Sequence, residues 1–285
     1  MENSSQDILV KAHGLSKSYG SSRVLDNVDL EIERGKIVGL IGQNGAGKTT
    51  ALKCILGLAA YQGDLEVLGL RPNKDRAKLM EQVCFIADTA ILPRWLIVKN
   101  ALDFMDNVHP RFNRKKAEEF LAKTNIPGKQ SIGKLSKGMI TQLHLALVMA
   151  IDVPLLVLDE PTLGLDIIYR KQFYTSLLND YFDENRTIII TTHQVEEVES
   201  LLTDLVFIRQ GKIVLNMAME ELPNQYVEIM VSGDKIEKAR SLNPISEAPG
   251  IGKTKFIFEN ADADQLASLG DVRIPSISDL FVAKM

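Results

Sequence analysis

Hydrophobic and polar positions change their period several times along the chain, and each change marks an element. ILVKAHGL (8–15) and VDLEIERG (28–35) alternate apolar and polar residues, the pattern of half-buried strands. KIVGLIG (36–42) is instead a continuous apolar run ending in glycine, as a strand buried on both faces should be. Helical spacing follows from Thr49 to Leu58, with no breaker before Gly57. Val98–Asn107 and Arg114–Thr124 predict two amphipathic helices, and after Pro127 and Gly128 the stretch LSKGM leads into a strongly apolar helix from Ile140 to Ile151. Pro154 opens a second apolar strand, LLVLD (155–159). A helix at about 168–182, the β-rich run TIIITTH (187–193), a helix at 194–201 and the strand pair LVFIRQ and KIVLN joined at Gly211 complete this part.

Strands alternating with helices predict an α/β fold with a mainly parallel core sheet, preceded by antiparallel strands and interrupted by a helical subdomain at about 89–150. The texture changes near residue 218. YVEIMV and KTKFIFE read as strands, DKIEKARSL and DADQLASL as helices, so residues 218–285 form a small α+β appendage to a domain of residues 1–217.

Composition narrows the classes. Of 285 residues, 33 are basic and 37 acidic, for a formal charge of −4 without a block of like charges. A protein that grips nucleic acid through its phosphates carries a basic excess or stripe, so no direct nucleic-acid partner is expected. The start, MENSSQDILVKA, lacks the basic and apolar regions of a signal peptide. The most hydrophobic stretch, Leu143–Leu158, is interrupted by His144, Asp152 and Pro154 and is not expected to cross a bilayer. Cys54 and Cys84 sit in apolar surroundings without metal-ligand spacing and are expected to be small buried hydrophobes.

Chemistry concentrates at the ends of the apolar runs. Gly42-Gln43-Asn44-Gly45-Ala46-Gly47-Lys48-Thr49 matches G-x-x-x-x-G-K-[ST], between a predicted strand and a predicted helix. Glycines let the backbone turn tightly so that successive N–H groups point at phosphates, and the helix N-terminus adds its dipole. Lys48 is then expected to neutralise the β- and γ-phosphates and Thr49, followed by Thr50, to reach Mg²⁺. These residues predict a P-loop NTPase core that binds ATP and Mg²⁺. A second stretch, Gly252-Lys253-Thr254, has Glu247 where the first glycine would stand and reads as an ordinary loop.

LLVLD ends in Asp159 and Glu160, and two carboxylates at a buried strand tip call for a cation or a reacting water. Asp159 suits Mg²⁺, here through water, and Glu160 suits the general base that polarises attacking water.

Three further stretches specify the type of ATPase. Leu135-Ser136-Lys137-Gly138-Met139, with Ser136 lying 23 residues before Asp159, resembles the LSGGQ signature of ATP-binding cassette (ABC) proteins; Pro161–Asp166 resembles their D-loop, and Thr191-Thr192-His193 their switch histidine. The ordered set covers about residues 8–215, and the chain is identified as resembling ABC transporter ATP-binding subunits. The resemblance implies a head-to-tail homodimer with two ATP molecules between subunits, Ser136 and Gly138 facing the γ-phosphate held by the partner's loop, His193 on the γ-phosphate, and Tyr19 stacked on adenine. It also implies an integral-membrane permease partner docked near Ile91–Val98 with Trp95, and a cytoplasmic location on the inner face of the cell membrane. Two departures stand out. Asp88, 40 residues after Lys48, occupies the region of the family's glutamine and is expected to help place Mg²⁺ or water. LSKGM resembles a subset found in bacterial exporters, which points to export. The competing readings are a soluble cassette ATPase acting on ribosomes or nucleic acid, and a regulatory ATP-binding module.

Overall fold

A computed structural model describes residues 7–86 and 92–285. In chain order the strands and α-helices are β1 (Ile8–Tyr19), β2 (Ser22–Glu33), β3 (Ile37–Ile41), α1 (Lys48–Ile55), β4 (Gln62–Val67), α2 (Arg76–Met80), β5 (Val83–Ile86), α3 (Val98–Val108), α4 (Arg114–Ala122), α5 (Lys137–Met149) and β6 (Leu155–Asp159). They continue with α6 (Ile167–Ser176), β7 (Thr187–Thr192), β8 (Asp204–Arg209), β9 (Lys212–Ala218), α7 (Leu222–Gln225), β10 (Tyr226–Val231), α8 (Lys235–Arg240), β11 (Ser246–Pro249), β12 (Thr254–Glu259), α9 (Ala263–Ala267), β13 (Asp271–Arg273) and α10 (Ile277–Lys284).

The central sheet has the order β5-β6-β7-β3-β8-β9, parallel except for β9. Every residue of β3, β6 and β7 is buried, which explains why these runs show no alternation. Their side chains nevertheless divide by parity between two cores. Ile37, Ile41, Leu156, Leu158, Ile188 and Ile190 face the side covered by α5, α6 and α10. Val38, Leu40, Leu155, Val157 and Ile189 face α1 and the three-stranded antiparallel sheet β2-β1-β4. Full burial of each such side chain contributes roughly 1.5–3 kcal/mol, so the strand positions, and with them the loops at the strand ends, are firmly fixed.

Helices α3, α4 and α5 enclose a separate apolar cluster that includes Ala101, Leu102, Ala117, Leu143 and Leu147. Residues 226–273 form a four-stranded antiparallel sheet, β11-β12-β10-β13, backed by α8 and α9 through Ala239 and Leu266. α10 leaves that sheet and packs onto the central one. Ile277 and Leu280 share its core with Val195, Val198 and Leu201, and Phe281 meets Phe207 edge-on with ring centroids 5.2 Å apart.

One expected helix is absent. Residues 194–201 form two single 3₁₀ turns, Val195–Glu197 and Glu199–Leu201, in place of an α-helix. Val195, Val198 and Leu201, all buried, recur every third residue, and that spacing lines up on a 3₁₀ turn rather than on an α-helix. The helix expected at 168–182 divides into α6 and a π-turn at Leu177–Tyr181, from which the Tyr181 hydroxyl donates to the Ile151 carbonyl. Cys54 and Cys84 are free thiols in the cores, with burial pushing their pKa values up to about 11 and about 12. Among the described residues no helix is long and apolar enough to cross a membrane.

Candidate functional site

The loop between β3 and α1 is shaped by contacts that only glycine tolerates. Gly47 has φ 112°, and a Cβ there would also lie 2.9 Å from the Val24 carbonyl oxygen. A Cβ on Gly42 would lie 2.5 Å from the Ile208 carbonyl oxygen. The loop is pinned at its crest by the Gly211 N–H, which donates to the Ala46 carbonyl at 2.9 Å. Gln43, Asn44, Gly45 and Thr49 are exposed, Ala46 is buried, and Thr50 is half-buried on the next position of α1.

Lys48 is buried beneath this loop, where its Nζ donates to the carbonyls of Gly42 (2.6 Å) and Gln43 (3.3 Å). Burial pulls the ammonium pKa below its ordinary value, and the charges of Glu160 and Asp159 pull it back up. Glu160 Oε1 lies 4.0 Å from Lys48 Nζ.

The two acids sit differently. Asp159 is 2% exposed, and its Oδ1 accepts from the Thr191 hydroxyl. The Glu160 backbone N–H donates to the Thr191 carbonyl at 3.1 Å and to its hydroxyl at 3.2 Å. Glu160 itself has φ 49°, a left-handed conformation costly for a residue with a side chain and found where structure enforces it. That turn swings its carboxylate off the line of β6 towards Lys48 and towards His193, whose Nδ1 lies 2.9 Å from Glu160 Oε2. Lys48, Asp159, Glu160 and His193, from the ends of β3, β6 and β7, thus form one constellation. Thr191 fastens both acids, although the sequence singled out only the histidine of the TTH run. Its signal was available: a hydroxyl residue two positions before that histidine, at the end of a strand beside the acidic one.

Ser136 and Gly138 stand elsewhere. Ser136 is exposed at the start of α5, where its hydroxyl oxygen accepts from the Met139 N–H at 3.2 Å, and Gly138 is half-buried in the first turn. Among the described residues neither hydrogen-bonds to the phosphate loop. Tyr19 is half-exposed at the end of β1, with Lys17 Nζ 4.6 Å from its ring centroid. Asp88 and Ile91 lie outside the described residues. Trp95 is 79% exposed and so belongs to no core. The Gly252-Lys253-Thr254 stretch is the turn between β11 and β12, closed by the Gly250 N–H on the Lys253 carbonyl.

Known proteins resemble this chain over most of its length. The family model described as "ABC transporter" matches residues 25–163. The Nod factor export ATP-binding protein I of Cupriavidus metallidurans is 31% identical over 273 residues, 92% of this chain and 89% of that protein. The chain belongs to the ABC transporter family. A second relative in the family, the daunorubicin resistance ATP-binding protein DrrA2 of Streptomyces coeruleorubidus, is 31% identical over 234 residues, 80% of this chain and 71% of its own length. A solved structure titled as the ATP binding subunit of an ABC transporter superposes with a TM-score of 0.68 at 24% identity, over 75% of this chain and 91% of that one, which establishes the cassette fold. This is an ATP-binding subunit of an ABC transporter.

The donor set fits Mg²⁺ as well. Thr49 and Asp159 offer only oxygen, the ligand type Mg²⁺ requires, and Asp159 Oδ2 is not engaged by Thr191. Among the described residues no group of three acidic, histidine or cysteine side chains is placed to hold a metal ion.

Proposed function

We propose that the chain hydrolyses ATP to ADP and phosphate and uses the cycle to drive export of a solute through a separate integral-membrane permease. The observation that carries the reading is the convergence at one place of Lys48, Asp159, Glu160 and His193, with Lys48–Glu160 at 4.0 Å and Glu160–His193 at 2.9 Å. The exposed N–H groups of residues 43–45 and the N-terminus of α1 receive the phosphates, and Lys48 neutralises the β- and γ-phosphate oxygens. Thr49 and Asp159 would hold Mg²⁺, which when bound neutralises phosphate charge. Glu160 takes the proton of the attacking water as general base. The contact from His193 Nδ1 orients that carboxylate and leaves Nε2 for the γ-phosphate.

Tyr19, exposed at the rim, suits a stacking surface for adenine. Ser136 and Gly138, at the start of α5, are assigned to the γ-phosphate held by a second copy, in a head-to-tail homodimer that closes on ATP and opens after hydrolysis. Asp88 is assigned a part in placing Mg²⁺ or water on its position in the sequence. The permease is expected on the helical subdomain, where Trp95, Phe104 and Val108 are exposed. A membrane partner places the chain on the inner face of the cell membrane. The direction of transport rests on LSKGM and on the relative named for Nod factor export.

A pull-down of the tagged chain from detergent-solubilised membranes of its host, read by mass spectrometry, tests the transporter reading. A stoichiometric multi-span membrane protein is the expected companion. Ribosomal or DNA-bound partners without one would overturn it while leaving the ATPase chemistry intact.

A further inference from the structure

The base and the histidine leave neighbouring strands, β6 and β7, and continue into separate loops. The sheet fixes where each loop starts but not the path it takes afterwards. One side chain joins the two loops beyond the strand ends. Arg170, in the first turn of α6, donates from Nε to the Leu165 carbonyl at 2.7 Å. Its Nη1 donates to Glu197 Oε1 at 2.6 Å and to Gln194 Oε1.

These partners close a ring. Gln194 follows His193 directly, and its N–H is held by the Thr192 hydroxyl at 2.9 Å, so the histidine is bracketed on both sides. On the other loop the Leu165 N–H donates to Thr162 O and the Leu163 N–H to Glu160 O, each at 3.1 Å, so Leu165 is tied back to the base by two turns. The His193–Glu160 contact of 2.9 Å completes the circuit. Without Arg170 the loops are joined in this circuit only by the His193–Glu160 contact itself.

The pair is also an expensive way to obtain stability alone. Arg170 and Glu197 are both part-buried, and the second carboxylate oxygen of Glu197 is buried without a hydrogen-bond partner among the described residues. Desolvation of such a pair tends to offset its attraction, and an apolar pair of the same shape would stabilise the fold as well or better. What an apolar pair would lack is the rigid fork that addresses a carbonyl, an amide and a carboxylate at once.

We propose that Arg170 is a positioning residue for hydrolysis: through Leu165 and Gln194 it sets the D-loop and the histidine loop in one register, and so the geometry between Glu160 and His193. The proposal rests on Glu160 and His193 acting as assigned above.

The test is steady-state ATP turnover and ATP affinity of the full chain, with its membrane partner where turnover requires one. Arg170→Ala is expected to lower kcat about tenfold with KM within about twofold, the split of a group that acts only on reacting geometry. Arg170→Lys restores the charge but not the fork, and is expected to remain at least about threefold below wild type. Gln194→Ala leaves the Arg170–Glu197 pair in place and cuts only the link to the histidine; it is expected to lower kcat about threefold, and decides the matter if Arg170→Ala does not fold. The double variant should fall by less than the product of the single effects, since both break one circuit. Turnover within twofold of wild type in both Arg170→Ala and Gln194→Ala, beside an inactive Glu160→Gln, would overturn the proposal and leave the base assignment standing. A rise in KM at unchanged kcat would likewise overturn it. An active Glu160→Gln removes the reading on which it rests.

Discussion

The ends of β3, β6 and β7 and the four-stranded sheet of residues 226–273 both keep charged groups close to buried apolar cores, and they use them in opposite ways. Between the second sheet and α10, two acids each have their own base. Asp279 on α10 pairs with Lys255 on β12 at 2.5 Å, and Glu259 at the end of β12 pairs with Lys284 on α10 at 2.8 Å. Hydrogen bonds from Lys284 and the Tyr226 hydroxyl hold the Glu259 carboxyl below its ordinary range. These charges are spent on fastening one helix to one sheet. At the strand ends of the central sheet, Asp159 and Glu160 share one lysine, a threonine and a histidine, and the lysine reaches only 4.0 Å from the nearer carboxylate. Locally balanced pairs hold a structure together. Acids that share too few partners are kept ready for a substrate, which on the proposed function is ATP with its cation and the attacking water.

Lys48→Ala should widen the contrast most. The loop keeps its N–H groups but loses its only buried cation, and turnover should fall at least about a hundredfold, with ATP affinity reduced by about tenfold or more in a binding titration. An equivalent change at Lys255 should leave turnover within about twofold, since Lys255 pairs with Asp279 on α10 and not with the strand-end acids.

Two core truncations then ask how far the regions depend on one another. Leu280→Ala opens a cavity on the central sheet although it belongs to the last helix, and should cost about 2–5 kcal/mol in denaturant unfolding of the cassette. Leu266→Ala, inside the smaller core of β10, β12, α8 and α9, should cost a similar amount but in the unfolding of that sheet. Equal effects on a single shared transition would mean that the two regions fold as one.

The smallest effect concerns Glu228, 8% exposed on β10. Burial raises its pKa, opposed by Lys255 and Arg273 and reinforced by Asp279. A raised folded pKa means the native state favours the protonated form, so its contribution is fully present below the unfolded value of about 4.5 and is lost as pH rises through the folded value. Glu228→Gln should therefore stabilise by about 0.5 kcal/mol at neutral pH, with the gain disappearing in melts below about pH 4.5.

The same comparison explains what was legible in the sequence. The buried parallel strands are short apolar runs that end abruptly, so β3, β6 and β7 were readable, and the residues at or beyond their ends include Lys48, Asp159, Glu160 and His193. Edge elements were not. β4 buries only Leu65 and Val67, β11 is four residues with a proline, and all of β13 is exposed, so none shows an apolar period. α10 is too short to outweigh its loop-like surroundings, and its docking on the central sheet depends on contacts with residues far away in the chain. Val195, Val198 and Leu201 were visible, but their three-residue spacing was read as an α-helix. Arg170 gave no signal by type, because its role arises only when two strand-end loops lie side by side, whereas Thr191 was marked by its place two positions before His193.

The central claim is that the end of β6 supplies the base for ATP hydrolysis within a constellation drawn from three strands. It is tested most directly by purifying the Glu160→Gln chain beside wild type and measuring ATP affinity and turnover together. The account predicts ATP affinity within a few-fold of wild type and kcat lower by at least about a hundredfold. Turnover at the wild-type rate, with ATP bound normally, would contradict it.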